Sequence, residues 1–345
     1  MQFTVLAKAH RTALVATLTA CALAVGVLAF ALRPHTAVPS HCTPTATSEP
    51  SCGAWWGAAL HASDSHLVSA VSAREQTTRR RLDIVHTYHR WYDTFPTANE
   101  VKLARSGHLL FTNWEPVDRN GARMKWSSIA SGSQDQAIKA EAARLAALGV
   151  PVLVSFSHEP EKDFHLHGSA SDFAAAFRHV VDESRKAGAS NVRWVWNVMG
   201  LSDPVWLARY RQMWPGNSYV DWVAWDPYNF ASCGKKPWHN FDQTVRPFYD
   251  WLEANSFGEK PFMLAEYGTI EGSDAQHGKA SWLNGVPSAL QSLPNLHALV
   301  YFDLPAPPAN CNWQISTSPA ATKAFGVLAR SGPFQQSARQ SPLGR

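Results

Sequence analysis

Glu159 and Glu266 each stand at the end of a short apolar run. These are Pro151-Val-Leu-Val-Ser-Phe-Ser-His-Glu-Pro160 and Pro261-Phe-Met-Leu-Ala-Glu-Tyr-Gly268. Runs this short and apolar read as buried parallel strands. A carboxylate at the C-terminal end of such a strand points to the face where parallel α/β folds carry their active sites. Two of them are the minimum equipment for hydrolysis of a glycosidic bond, one as acid and the other as nucleophile or base. The retaining version needs the carboxyl groups about 5–5.5 Å apart. Strands four and seven of a narrow barrel face each other at such a range. Glu159 would have to hold its proton and Glu266 lose its own, so the environment should raise Glu159. A strand-end Glu taken alone would as readily cap a helix or pair with an arginine such as Arg90 or Arg193. The pair together favours the catalytic reading.

The elements that must position these residues alternate. Strand candidates are Gly53–Gly57, Ile84–Asp93, His108–Glu115, Val152–Glu159, Val192–Asn197, Val220–Tyr228, Phe262–Glu266 and Leu296–Asp303. Helical patterns fall between them at Ala98–Arg105, Gln134–Leu148, Ser171–Ala187, Pro204–Trp214, Phe241–Ala254, Lys279–Leu293 and Ser318–Ala329. Eight strands alternating with helices predict a (β/α)8 TIM barrel of class α/β, as one catalytic domain over residues 53–331. An open doubly wound sheet is the second choice. It would usually carry a glycine-rich turn after its first strand, where this chain has Trp55 and Trp56.

Composition narrows the partners. The 345 residues are 45% hydrophobic, with a net charge of only +4, so a full core is available. No long basic stripe is present, which argues against nucleic acid. Fifteen tryptophans suit a sugar-binding cleft, although most should be core. Trp91, Trp114, Trp196 and Trp225 are balanced between core and sugar platform. Asp226 and Asp303, also at strand ends, read as hydrogen-bonding partners of the site. Glu161 reads as a solvated loop residue. No cofactor is expected, and no C-x-x-C spacing supports a metal site. The chain is expected to act as a monomer.

Before the barrel, Lys8 and Arg11 precede an uncharged apolar run from Thr12 to Leu32. Residues 1–32 read as a signal peptide, with Ala29-Phe-Ala31 as a cleavage site, or as an uncleaved signal anchor. Either way the domain is secreted, and any membrane attachment is through this segment alone. Residues 33–52 read as a linker, and 332–345 as a disordered tail. Cys21 aside, Cys42, Cys52, Cys233 and Cys311 allow three pairings. In an oxidising compartment the local pair Cys42–Cys52 and the loop-tying pair Cys233–Cys311 are expected.

Several segments together resemble glycoside hydrolase family 26, the β-mannanase family of the clan A retaining hydrolases. They are Trp126–Gly132 with Asp135, the run ending at His158-Glu159, and Asn191-Val-Arg-Trp-Val-Trp-Asn197. Tyr219–Asn229, Lys260–Gly268, and Tyr301-Phe-Asp303 followed by Trp313 complete the set. The resemblance covers roughly Gly53 to Ala329. It implies Glu159 as acid/base, Glu266 as nucleophile and Tyr228 as a donor to the nucleophile. It implies His158 beside the bound sugar and Trp313 as an aromatic platform. Trp114, Trp196 and Asp226 complete the expected substrate contacts. The implied substrate is a β-linked polysaccharide, β-1,4-mannan first, with β-1,3-xylan and mixed-linkage β-glucan as alternatives. The chain departs from the family pattern after Glu159, where Pro160-Glu-Lys-Asp-Phe-His-Leu-His-Gly168 replaces the usual Met-Asn-Gly. That loop borders the cleft and puts the substrate in question.

Two other readings compete. A metal-dependent hydrolase would use His158, Glu159, His165 and His167. The zinc helix pattern instead needs a His four residues after the first, where Lys162 stands, and Pro160 opposes a helix there. A non-catalytic cell-surface glycan-binding protein would have no need of both carboxylates.

Overall fold

Parallel strands cannot pair until a helix has carried the chain back, and this chain repeats that unit around a closed barrel. The computed structural model describes residues 49–50, 52–305 and 311–337. The expected N-terminal apolar segment and Cys42 lie outside them. The strands are β1 (Trp55–Leu60), β2 (Ile84–Arg90), β3 (Leu109–Glu115), β4 (Val152–Phe156), β5 (Val192–Val198), β6 (Trp222–Trp225), β7 (Tyr228–Asn229), β8 (Phe262–Thr269) and β9 (Leu296–Asp303). Each of β1 to β5 pairs in parallel with the next, β1 pairs with β9, and β9 with β8. The ring closes where Val223 of β6 pairs with Phe262 of β8. The two-residue β7 only lengthens the β6 path at the mouth, pairing with Gly268 and Thr269. The result is the eight-stranded (β/α)8 barrel.

Side chains alternate across each strand, and the two faces bury different cores. Trp55, Ile84, Leu109, Phe111, Leu153, Val195, Trp222, Met263 and Val300 fill the barrel interior. Their neighbours Trp56, Val85, Leu110, Val154, Trp194, Val223 and Leu299 pack under the helices. In β8 the alternation breaks. Leu264 pairs with Leu299 and Tyr267 with Tyr301, so Ala265 and Glu266 together oppose the single residue Val300. This is a β-bulge, a device that re-aims a side chain. Leu264 and Tyr267 both face the helices, while Ala265 faces the interior. The extra residue, Glu266, is free to face the mouth.

Among the described residues three helices start with reciprocal capping boxes, at Thr97 with Glu100, Ser169 with Asp172 and Asn240 with Gln243. Each such cap contributes about 1 kcal/mol. Several sequence expectations need correction. The helix Asp64–Thr78 had no one-sided apolar pattern to reveal it, and only Leu67, Val71 and Thr78 of it are buried. The expected helix Lys279–Leu293 is two, Lys279–Asn284 and Val286–Leu290, divided at Gly285. The tail expected to be disordered begins with a helix, Gly332–Ser337. Its Phe334 is buried against Trp56, with ring centroids 5.0 Å apart.

Candidate active site

Glu266 is buried at the mouth of the barrel, 5% exposed, with a donor on each carboxylate oxygen. Tyr88 at the top of β2 donates its hydroxyl to Oε1 at 2.8 Å, and Tyr228 in β7 donates to Oε2 at 2.6 Å. The bulge takes the Glu266 amide out of the ladder, and Asp226 accepts it at 2.9 Å. Asn197 donates to the other oxygen of Asp226 at 3.1 Å. A chain of contacts from β5 through the end of β6 therefore holds the backbone of Glu266, while two phenols hold its carboxylate. Burial, with the Glu266 and Glu159 carboxylates nearby, raises Asp226 well above the usual carboxylate range.

Glu159 is not the last residue of its strand. β4 ends at Phe156, and the chain turns through Ser157 and Glu159, both in the left-handed region at φ 54° and 44°. Non-glycine residues there store about 1–3 kcal/mol of strain, and such residues cluster at functional sites. The turn is pinned by the Ser157 amide donating to the Trp114 carbonyl at 3.0 Å and by the Trp126 indole donating to the Ser157 hydroxyl at 3.2 Å. His158 turns its Nδ1 to Glu115, at the end of β3, and donates its amide to the same oxygen at 3.2 Å. Burial alone would lower the His158 pKa. The Glu115 carboxylate outweighs it and lifts the imidazole to about 9. Burial, then the charge of Glu266, pushes Glu159 up to about 7, with His158 and Lys162 opposing.

One carboxylate oxygen from each of Glu159, Asp226 and Glu266 lies within 4.8 Å of the others. Among the described residues, neither Glu159 nor Glu266 pairs with a lysine or arginine. Arg193 instead donates to backbone carbonyls at 3.0 Å and 3.3 Å, at the opposite end of β5. A cleft of about 770 Å³ opens over these groups, bordered by Glu159, Asp226, Tyr228, Phe230, Glu266 and Trp313. Trp313 is only 2% exposed and packs on Tyr228 at 4.6 Å, so it shapes the wall more than it offers an open face. Its loop is tied down from three sides. Tyr301 donates its hydroxyl to the Trp313 carbonyl at 2.8 Å. The buried Lys279 donates to the carbonyls on either side, at Asn312 and Gln314. The disulfide Cys233–Cys311 joins it to the turn after β7. Cys52 is also disulfide-bonded, and the expected partner Cys42 lies outside the described residues.

Two expected sugar contacts are elsewhere. Trp114 and Trp196 sit one position out of phase with the inward residues of β3 and β5, so both face the helices. Trp114 stacks on Trp91 at 4.2 Å and Trp196 on Phe257 at 5.7 Å, and both are fully buried. The inward neighbours are Asn113 and Asn197. Asp303 pairs with Arg74 and caps the Ile315 amide, away from the cleft. Glu161 is buried rather than solvated, accepting the Met199 amide at 2.8 Å. Burial raises it to about 7. The alternative metal set is not assembled. His158 faces Glu115, and His167 bonds the Met124 carbonyl at 2.7 Å while stacking on Trp126. Tyr88, Glu115 and Asn197 were not singled out from sequence. Each is an inward residue near a strand end, in the parity that counting from the strand would have marked.

No family model matches the chain. It is similar to Endoglucanase H of Acetivibrio thermocellus, 30% identical over 272 residues, covering 74% of this chain and 28% of that protein. It is also similar to Beta-1,3-xylanase TXYA of a Vibrio species, 25% identical over 140 residues, covering 40% of this chain and 30% of that one. The chain thus spans less than a third of either relative's length. Among solved structures it superposes on the GH26 β-mannanase BoMan26A of Bacteroides ovatus with TM-score 0.56 and 16% identity, covering 82% of this chain and 89% of that one. The catalytic domain of the GH26 endo-β-1,4-mannanase of Bacillus sp. JAMB-750 gives TM-score 0.57 and 14% identity, with 82% and 86% covered. At those identities the likeness is one of fold.

Proposed function

We propose, from the premise that this chain is an O-glycosyl hydrolase of the family 26 type, that it cleaves a β-linked polysaccharide with retention. The observation that carries the reading is the approach of the Glu159 and Glu266 carboxylates to within 4.8 Å, with no lysine or arginine ion-paired to either among the described residues. An inverting enzyme keeps its carboxyl groups about 6.5–9.5 Å apart to admit a water.

In the first step a Glu266 oxygen attacks the anomeric carbon while Glu159 gives its proton to the departing glycosidic oxygen. The sugar becomes an ester of Glu266. In the second step Glu159, now ionised, takes a proton from water as the water attacks the same carbon and Glu266 leaves. Two inversions give net retention. Tyr88 and Tyr228 fix the nucleophile's orientation without consuming its charge. The field of Glu266 and the burial of Glu159 keep the acid protonated near neutrality.

Of the two fold neighbours named above, one is a β-mannanase and the other an endo-β-1,4-mannanase, which makes β-1,4-mannan the first candidate. The two relatives named above are an endoglucanase and a β-1,3-xylanase, so β-glucan and β-1,3-xylan stand beside it. The N-terminal apolar segment supports export. The test is release of reducing sugar from mannan, mixed-linkage glucan and β-1,3-xylan by wild type and Glu266→Ala. Release that the variant loses, and that azide restores as an inverted product, supports the reading. Equal release by both proteins would sink it.

A further inference from the structure

A second pocket, of about 260 Å³, opens on the other side of Glu159, among the ends of β2, β3 and β4. Its charged groups are Arg90, Glu115, Arg123, His158, Lys162 and Asp163 besides Glu159 itself. Glu159 is held up to about 7 by burial and by Glu266, and the other two acids are taken. Arg123 holds Asp163 at 2.7 Å, and His158 holds Glu115. That leaves Arg90, at the end of β2, and Lys162, from the loop after Glu159. Both side chains are exposed, and among the described residues neither has a hydrogen-bond or ion-pair partner. Lys162 also borders the main cleft, so it stands where the two pockets meet beside the acid/base.

Two cations without an ion-pair partner among the described residues, in one sugar-sized concavity, favour an anion. A guanidinium fork matches a carboxylate or phosphate with two parallel hydrogen bonds, and an ammonium adds a point charge. A neutral sugar would need neither. We propose that this pocket takes a sugar unit bearing an anionic substituent, a uronate carboxylate or a phosphate ester, next to the bond being cleaved. The inference rests on the glycoside hydrolase reading and adds the substrate's charge to it. It also gives the divergent loop a task, since Lys162 belongs to the stretch that departs from the family pattern.

The probes are β-1,4-manno- and β-1,4-glucohexaose in three forms: neutral, oxidised to the carboxylate at C6, and phosphorylated at C6. Their binding to Glu266→Ala is measured by calorimetry at low and high salt. The same is done with Glu266→Ala carrying Arg90→Met and Lys162→Met. The expected result is at least tenfold tighter binding of one anionic form over the neutral one. That preference should shrink with salt and in the triple variant. Which anionic form gains decides between carboxylate and phosphate. Equal binding of all forms, or a preference unchanged by the two substitutions, would overturn the proposal. The hydrolase reading has a separate readout. Wild-type turnover of any of these chains that Glu266→Ala lacks leaves it standing even when the charge preference fails.

Discussion

Replacing Glu266 by Gln should lower the pKa of Glu159, and the size of the fall measures how the two carboxylates share the reaction. Glu159 sits at about 7 because it is desolvated and because Glu266 is charged nearby. The substitution keeps the shape and removes the charge. At a separation of up to 4.8 Å, an effective dielectric of about 20 gives roughly 3.5 kcal/mol, or about 2.5 pKa units. Water in the open cleft screens part of this, so a fall of about one to two units is expected. The sign is fixed: losing a neighbouring negative charge favours the ionised form. The assay is titration of the Glu159 carboxyl by carbon NMR in the wild type and in Glu266→Gln. The variant imitates the glycosyl ester, in which Glu266 is also neutral. A fall would therefore support the proposed switch of Glu159 from acid in the first step to base in the second. A Glu159 pKa unchanged in the variant would refute the argument, since desolvation alone would then account for its elevation.

The phenols that hold Glu266 are each worth a charge-assisted hydrogen bond, about 1.5–3 kcal/mol. Tyr88→Phe and Tyr228→Phe should each lower kcat by roughly tenfold to hundredfold with smaller changes in KM, as steady-state kinetics would show. Trp114→Ala and Trp196→Ala should lower stability by about 3–5 kcal/mol in denaturant titration, through the cavities they leave. The folded fraction should keep its KM, whereas Trp313→Ala, at the cleft wall, should raise KM. Glu159 has a raised folded-state pKa, so between about 4.5 and 7 the native state binds more protons than the unfolded one. Its contribution to stability therefore falls as pH rises through that window. Glu159→Gln should raise Tm at pH 8 by about 2–4 °C and leave it unchanged near pH 4, as calorimetry at the two pH values would show.

The strands were legible in the sequence because buried parallel strands are largely apolar runs, and each of the eight barrel strands overlaps a run that predicted it, although β1 continues three residues past the expected Gly53–Gly57. The face of each residue was harder to read. Trp114 and Trp196 are at strand ends and aromatic, the profile of a sugar platform, yet the two-residue period turns them under the helices. The same period turns Asn197 inward to hold Asp226. A run apolar on both faces hides its parity, since composition does not say which side is the barrel. Glu161 looked solvated because a loop with Glu, Lys and Asp is polar by composition. Burying it required the Met199 amide, from a segment far along the chain. The helix Asp64–Thr78 was silent for the opposite reason, since it buries so little that it leaves no periodic trace.

Both proposed catalytic carboxylates occupy places where the backbone leaves its regular path. Strict alternation from Phe262 and Leu264 would turn Glu266 toward the helices with them. The bulge inserts one residue and reverses that outcome, at the expense of a ladder hydrogen bond that Asp226 replaces. Glu159 reaches the cleft through a turn that puts two non-glycine residues at positive φ. Regular strands build the barrel and its core, but a side chain that must meet another across the mouth needs a deviation, and each deviation needs support nearby. Trp114 and Trp126 hold the turn at Glu159, and Asp226 and Asn197 hold the bulge. Trp114 thus serves the site after all, through the carbonyl that receives Ser157 rather than through its ring. Local pattern cannot announce such supports, because each comes from a different part of the chain than the residue it positions.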